Sequence, residues 1–145
     1  MINYKKFLLF STLTACSVGV MAQKFTASYT PAASADNFSG KVILYLSKDF
    51  KSPKDEMVGV ELFPCYSIDV KNLKPGEKVT FDDAATFYPV PLSDIERGVY
   101  HAQVVWDRNA GARAIGNSPG NVYNPSVPVT VTKNTSQVFD IVCNS

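Results

Sequence analysis

One histidine and three cysteines are the side chains of this chain best suited to catalysis or metal binding. His101 falls in the alternating segment 99–106, which places it on the solvent face of a predicted strand. Serine hydrolysis of the α/β type needs a nucleophile elbow followed by an acid and a histidine. We predict no such elbow here, and therefore no catalytic residue. A zinc site needs further histidine or cysteine ligands, so we expect no metal and no cofactor.

Acidic side chains cluster in two neighbouring loops. Asp82 and Asp83 follow one predicted strand, and Asp94 and Glu96 precede another. Carboxylate oxygens are calcium ligands, but these four residues do not have the spacing of a calcium loop. We therefore interpret them as solvated loop carboxylates.

Two cysteines, Cys65 and Cys143, lie in the part of the chain predicted to fold. In an oxidising compartment they are able to form a disulfide that closes a loop of about 79 residues and adds about 4 kcal/mol in the chain-entropy model. The alternative is two buried free thiols. Both alternatives stay open at this point, because the sequence does not give the Cα separation that a bridge requires.

A polar connection, 107–124, is the segment best suited to binding. Its candidate contact residues for a sugar or a protein partner are Asn117, Asn121, Tyr123 and Asn124. The alternative is a structural turn, in which Pro119-Gly120 bends the chain and the asparagines cap the backbone. We favour the structural alternative.

The N-terminus has the layout of a secretory signal peptide over residues 1–22. Lys5 and Lys6 precede an apolar run, and Ala22 ends a small-residue cleavage site. This predicts export to the periplasm or the medium. Residues 13–16 also resemble a bacterial lipobox, which would lipidate Cys16 and anchor the protein to a membrane. Cleavage after Ala22 is favoured, and lipidation at Cys16 remains the alternative.

Cleavage would leave residues 23–145 as one domain with a net charge near −1, because Lys5 and Lys6 leave with the signal. The hydrophobic content of 46% is typical of a globular chain. No basic run is present, so nucleic acid is not an expected partner. No apolar stretch of about 20 residues follows the signal, so we expect no transmembrane span in the mature chain.

Short alternating segments separated by Gly, Pro and Asn turns fill the remainder of the chain. They predict an all-β fold, a single immunoglobulin-like antiparallel β-sandwich of about seven to eight strands. Within 99–106, Tyr100, Ala102, Val104 and Trp106 are expected to face the core. Tyr100 follows Gly98 at a strand start, the position of a tyrosine corner, in which the hydroxyl bonds to upstream backbone.

Four segments carry a resemblance to a known group of proteins. They are 63–70 (FPCYSIDV), 73–77 (LKPGE), 98–105 (GVYHAQVV) and 117–123 (NSPGNVY). Together they resemble the N-terminal immunoglobulin-like domain of exported bacterial proteins identified as esterases, in which an α/β-hydrolase domain follows.

The resemblance implies a sandwich domain without the hydrolase, because the chain stops at Ser145. We therefore expect an exported non-catalytic accessory or interaction domain that partners a separately encoded esterase. The alternatives are a stand-alone carbohydrate-binding module that recognises an envelope glycan, and the front fragment of a split esterase.

Overall fold

The computed structural model describes residues 22–56, 63–109 and 115–144. The predicted signal peptide up to Met21, including Cys16, lies outside these ranges. Nine strands are present in the described residues: β1 Gln23–Tyr29, β2 Phe38–Ser47, β3 Cys65–Leu73, β4 Val79–Phe81, β5 Thr86–Tyr88, β6 Gly98–Asp107, β7 Val122–Tyr123, β8 Val127–Val131 and β9 Gln137–Cys143. Three single-turn 3-10 helices span Pro53–Asp55, Leu92–Asp94 and Ile115–Asn117.

The strands form two sheets that pack as a sandwich. The smaller sheet has the order β4-β1-β9, and the larger has the order β5-β3-β2-β6-β7, with β8 also paired to β6. Strands β2, β3 and β6 pair antiparallel with long continuous registers, from Lys41↔Asp107 to Ser47↔His101 for β2 and β6. Adjacent long strands with alternating apolar residues give each sheet one face that must be buried against the other.

The predicted all-β, immunoglobulin-like sandwich is therefore confirmed, with two differences in detail. The described residues form nine strands rather than seven or eight, because β5 and β7 have only three and two residues and give no periodic signal. The first and last strands pair in parallel, with Gln23 opposite Gln137 and Tyr29 opposite Cys143. Parallel pairing places the first and last strands side by side, with Gln23 and Cys143 at opposite ends of the pair.

The inner face of the larger sheet follows the predicted alternation of β6. Tyr100, Ala102, Val104 and Trp106 are all buried in the main hydrophobic core. The indole of Trp106 packs edge-on against Tyr29 of the smaller sheet, with ring centroids 5.0 Å apart. Aromatic contacts of this kind stabilise a core beyond simple area burial, and this one links the two sheets directly.

The outer face of the larger sheet differs from the expectation of a solvent face. Gln103 and Val105 of β6 are buried, and Val105 joins a second hydrophobic cluster with Ile43, Tyr45 and Phe63. The cause is the segment around the 3-10 helix Pro53–Asp55, whose Lys54 backbone N–H donates to Gln103 Oε1 at 3.1 Å. No helix in the described part of the chain is long and apolar enough to cross a membrane.

Tyr100 makes the hydrogen bond that defines a tyrosine corner. Its hydroxyl donates to the backbone carbonyl of Glu96, four residues upstream, at 2.8 Å. The ring is buried and lies under the Lys48 ammonium, 5.3 Å from the ring centroid. The bond fixes the chain where it enters β6, and so it positions the loop that precedes that strand.

We expect Tyr100→Phe to lower the free energy of unfolding by about 1 kcal/mol, because the ring stays packed while the hydrogen bond to Glu96 is lost. Urea denaturation monitored by tryptophan fluorescence measures the change. The control is Tyr88→Phe, since the Tyr88 side chain is exposed. Equal stability of the two variants would contradict a structural role for the Tyr100 hydroxyl.

Candidate functional site

Asn124, one of the predicted contact residues, is a buried backbone clamp. Its Oδ1 accepts the Val104 backbone N–H at 2.6 Å, and its Nδ2 donates to the Pro125 carbonyl at 2.7 Å. It sits where the chain passes from β7 to β8, which pair with different parts of β6. Its side chain replaces a missing strand hydrogen bond, and it is too buried to meet a ligand.

Asn121 also holds the connection in place. Its Oδ1 accepts the Arg108 backbone N–H at 3.0 Å, and its Nδ2 donates to Asp107 Oδ1 at 3.1 Å. The Asp107 carboxylate is buried and also accepts the Asn109 backbone N–H. These bonds tie the end of β6 to the start of β7.

The two remaining candidates, Asn117 and Tyr123, surround the side chain of Lys54. The ammonium of Lys54 donates to Asn117 Oδ1 at 2.9 Å and lies 4.3 Å from the Tyr123 ring centroid. Only 7% of the Lys54 side chain is exposed, and its ammonium also pairs with Asp55. A Cβ on Gly116 would clash with the Lys54 carbonyl oxygen, so the two backbones are in contact here.

Asn121 and Asn124 therefore bond to the backbone, as the structural alternative expects. Asn117 and Tyr123 contact Lys54 but keep exposed faces. The sequence does not distinguish the two roles, because an asparagine that caps the backbone and one that binds a ligand look alike in sequence.

We expect Asn124→Ala to cost about 1–3 kcal/mol of unfolding free energy, because the buried Val104 N–H loses its acceptor. Asn117→Ala is the comparison variant: its exposed amide bonds to the charged groups of Lys54 and Asp55 but to no backbone of β6, and its loss should cost no more than about 1 kcal/mol. Thermal and urea unfolding of both variants measures the difference. A destabilised Asn117→Ala with an unaffected Asn124→Ala would contradict the clamp.

Residues 116–120, Gly-Asn-Ser-Pro-Gly, have the spacing G-x-S-x-G, contrary to the expectation of no such motif. A nucleophile elbow requires a strand before the serine and a helix after it. Here a 3-10 turn precedes Ser118, and β7 follows it. This segment packs against Asp107, which lies at the end of β6. His101 lies near the start of the same strand, six residues and about 20 Å from Asp107, so it is far from Ser118.

Both described cysteines are free and lie in different hydrophobic clusters. Cys143 is buried in the main core, where its Sγ accepts a hydrogen bond from Trp106 Nε1 at 3.2 Å. Cys65 packs against the outer cluster of Ile43, Tyr45, Phe63 and Val105. The structure does not bring the two thiols together: both are free, with Cys143 buried and Cys65 half-buried. Burial raises the pKa of Cys143 to about 11, and it also raises the pKa of Cys65.

The raised pKa of Cys143 predicts a loss of stability in alkali. The thiol ionises near pH 9 in the unfolded chain but keeps its proton to about pH 11 when folded. The unfolded state therefore loses its proton first, and this thiol alone should lower the free energy of unfolding by about 1 kcal/mol between pH 8 and 10. Cys65 and the buried tyrosines, whose pKa values are also raised, add slope of the same sign, so Cys143→Ala should make the fall about 1 kcal/mol smaller without abolishing it, as measured by urea unfolding across that range. An unchanged slope would contradict the buried neutral thiol.

A cavity of about 390 Å³ opens at the end of the sandwich where β2 ends and β6 begins. It is bounded by residues 47–50, 63–64, 89–90 and 94–96, together with Tyr100. The described residues of the predicted connection, 107–109 and 115–124, contribute none of these bounding residues, because the connection leaves β6 at the strand's other end. The cavity thus lies beside the tyrosine corner and away from Asn117–Asn124, the candidate binding residues predicted from the sequence.

Asp82 and Asp83, two of the four loop carboxylates weighed as calcium ligands, accept backbone hydrogen bonds in the turns. Asp82 Oδ1 accepts the Ala84 backbone N–H, and Asp83 Oδ1 accepts that of Ser93, both at 2.9 Å. Within the described ranges, no three His, Cys, Asp or Glu side chains are grouped so that they could hold a metal ion.

A second, apolar groove of about 210 Å³ crosses the outer face of the larger sheet at its β5 edge. Ile43, Tyr45 and Cys65 line its floor, and Thr86–Tyr88 of β5 form its outer wall. Phe87 and Tyr88 are 46% and 47% exposed, which is high for large aromatic side chains. Strand β5 ends the sheet, so its outer backbone edge has no partner strand among the described residues.

Comparisons of this chain with protein-family models, with curated proteins and with solved structures give no match.

Proposed function

We propose that this chain is an exported, non-catalytic immunoglobulin-like module that docks a separately encoded esterase. Two lines of support come from the sequence: the signal-peptide layout of residues 1–22 and the resemblance to sandwich domains that precede a hydrolase. The front fragment of a split esterase would dock its catalytic half in the same way.

The exposed aromatic edge at β5 is the observation that supports docking. Phe87 and Tyr88 stand beside an apolar groove at the free edge of the larger sheet. Aromatic side chains concentrate binding energy in protein interfaces, and an unpaired sheet edge offers backbone hydrogen bonds to an incoming segment. The groove and the edge together form one continuous surface.

The test mixes purified residues 23–145 with the purified catalytic domain of an exported esterase from the same genome, in sedimentation velocity. We expect a complex that the double change Phe87→Ala with Tyr88→Ala weakens at least tenfold, since two aromatic anchors are removed.

The matched control for this test is the double change Val138→Ala with Val142→Ala. These two side chains are also exposed, but they lie on β9 of the smaller sheet. Absence of a complex at micromolar concentration, or equal weakening by both double changes, would contradict esterase docking through β5.

The cavity favours a second candidate function, a stand-alone carbohydrate-binding module. Its wall combines the aromatic rings of Phe50 and Phe63 with charged side chains at the rim. Pockets that hold small ligands share this combination of apolar lining and a few polar groups. Export would place such a module among envelope glycans.

A further inference from the structure

We propose that the cavity beside the tyrosine corner binds a sugar ring that carries a free ammonium group, as in a hexosamine residue of a glycan. This deepens the carbohydrate-binding candidate by naming the sugar class, and it rests on that candidate. It concerns a different surface from the β5 edge, so it does not depend on the docking of an esterase.

The cavity has the size for one sugar ring. Its volume of about 390 Å³ falls at the small end of the range that ligand pockets occupy. A hexose with its first water molecules fits this space, whereas a long oligosaccharide would have to extend beyond the opening. The expected ligand is therefore a single terminal or branching residue.

One wall of the cavity is apolar. Phe50 and Phe63 contact each other with ring centroids 6.0 Å apart, and Ile95 is buried beneath the rim. The C–H face of a pyranose ring packs well against such a wall, because it is the apolar side of an otherwise polar ligand. This apolar wall therefore favours a ligand with a ring.

The charged side chains at the rim favour a ligand that carries an ammonium group. Lys48 Nζ already pairs with Glu96 Oε2 at 3.0 Å and lies over the Tyr100 ring, so this pair is internally neutral. Among the described residues, none forms an ion pair with the carboxylates of Asp49 or Asp94, which also line the cavity. Both residues are exposed, so the opening of the cavity carries two negative charges beyond its internal pair.

A net negative cavity selects among sugars by charge. An ammonium gains charge-assisted hydrogen bonds to Asp49 and Asp94, a neutral hexose gains only ordinary hydrogen bonds, and a uronic acid is repelled. Acetylation removes the ammonium charge, so it should weaken binding to the level of the neutral sugar.

Isothermal titration of residues 23–145 with glucosamine, glucose, N-acetylglucosamine and glucuronic acid tests the proposal. We expect glucosamine to bind with a Kd on the order of 1 mM, as for a ligand of about a dozen heavy atoms, and the other three at least about fivefold more weakly. Equal affinities for glucose and glucosamine would overturn the ammonium inference while supporting carbohydrate binding. No binding of any of the four sugars would overturn both.

Two charge-removing variants locate the site. Asp49→Asn with Asp94→Asn should weaken glucosamine binding about tenfold and leave the weak binding of glucose within about twofold. The control Asp36→Asn makes the same kind of charge change in the β1–β2 loop, at the opposite end of β2. Equal weakening by Asp36→Asn and by the double variant would overturn the site, and circular dichroism checks that each variant is folded.

Discussion

The burial of Trp106 between the two sheets is the interaction on which the rest of the structure depends. Its indole N–H donates to Cys143 Sγ of the smaller sheet, and its ring packs against Tyr29 and Phe38, with ring centroids 5.0 and 5.3 Å away. A buried indole needs an acceptor for its N–H, and here the Cys143 sulfur supplies it. The parallel pairing of β1 with β9 delivers that sulfur to the centre of the core.

Because Trp106 fills the space between the sheets, the cavity and the β5 groove lie outside this core. Lys54 and Gln103 fasten the segment around the 3-10 helix Pro53–Asp55 over β6, which buries Val105 on a face that would otherwise be solvated. The cavity lies where β2 ends and β6 begins, and the groove lies at the β5 edge of the same sheet. The tyrosine corner at Tyr100 holds one wall of the cavity, so the fold and the proposed sugar site share a residue.

The long strands could be predicted from sequence, and the site could not. The alternation of 99–106 predicted the buried side of β6, including Trp106, because period-two burial is local information. The roles of Asn124 and Lys54 depend on partners 20 and 63 residues away in sequence, Val104 and Asn117, so the sequence could not show which candidate residues hold the backbone. The cavity is missed for the same reason, since four separate segments form it.

If the cavity end recognises the sugar, Asn117–Asn124 hold the fold and do not contact the ligand. Two-dimensional amide NMR of the labelled domain, recorded during titration with glucosamine, separates the two surfaces. We expect shift changes at the amides of Lys48, Asp49, Ile95 and Glu96, with the amides of Asn117–Asn124 unchanged. Changes confined to Asn117–Asn124 would contradict this expectation, because the ligand would then bind the connection that the structure shows packed on Lys54.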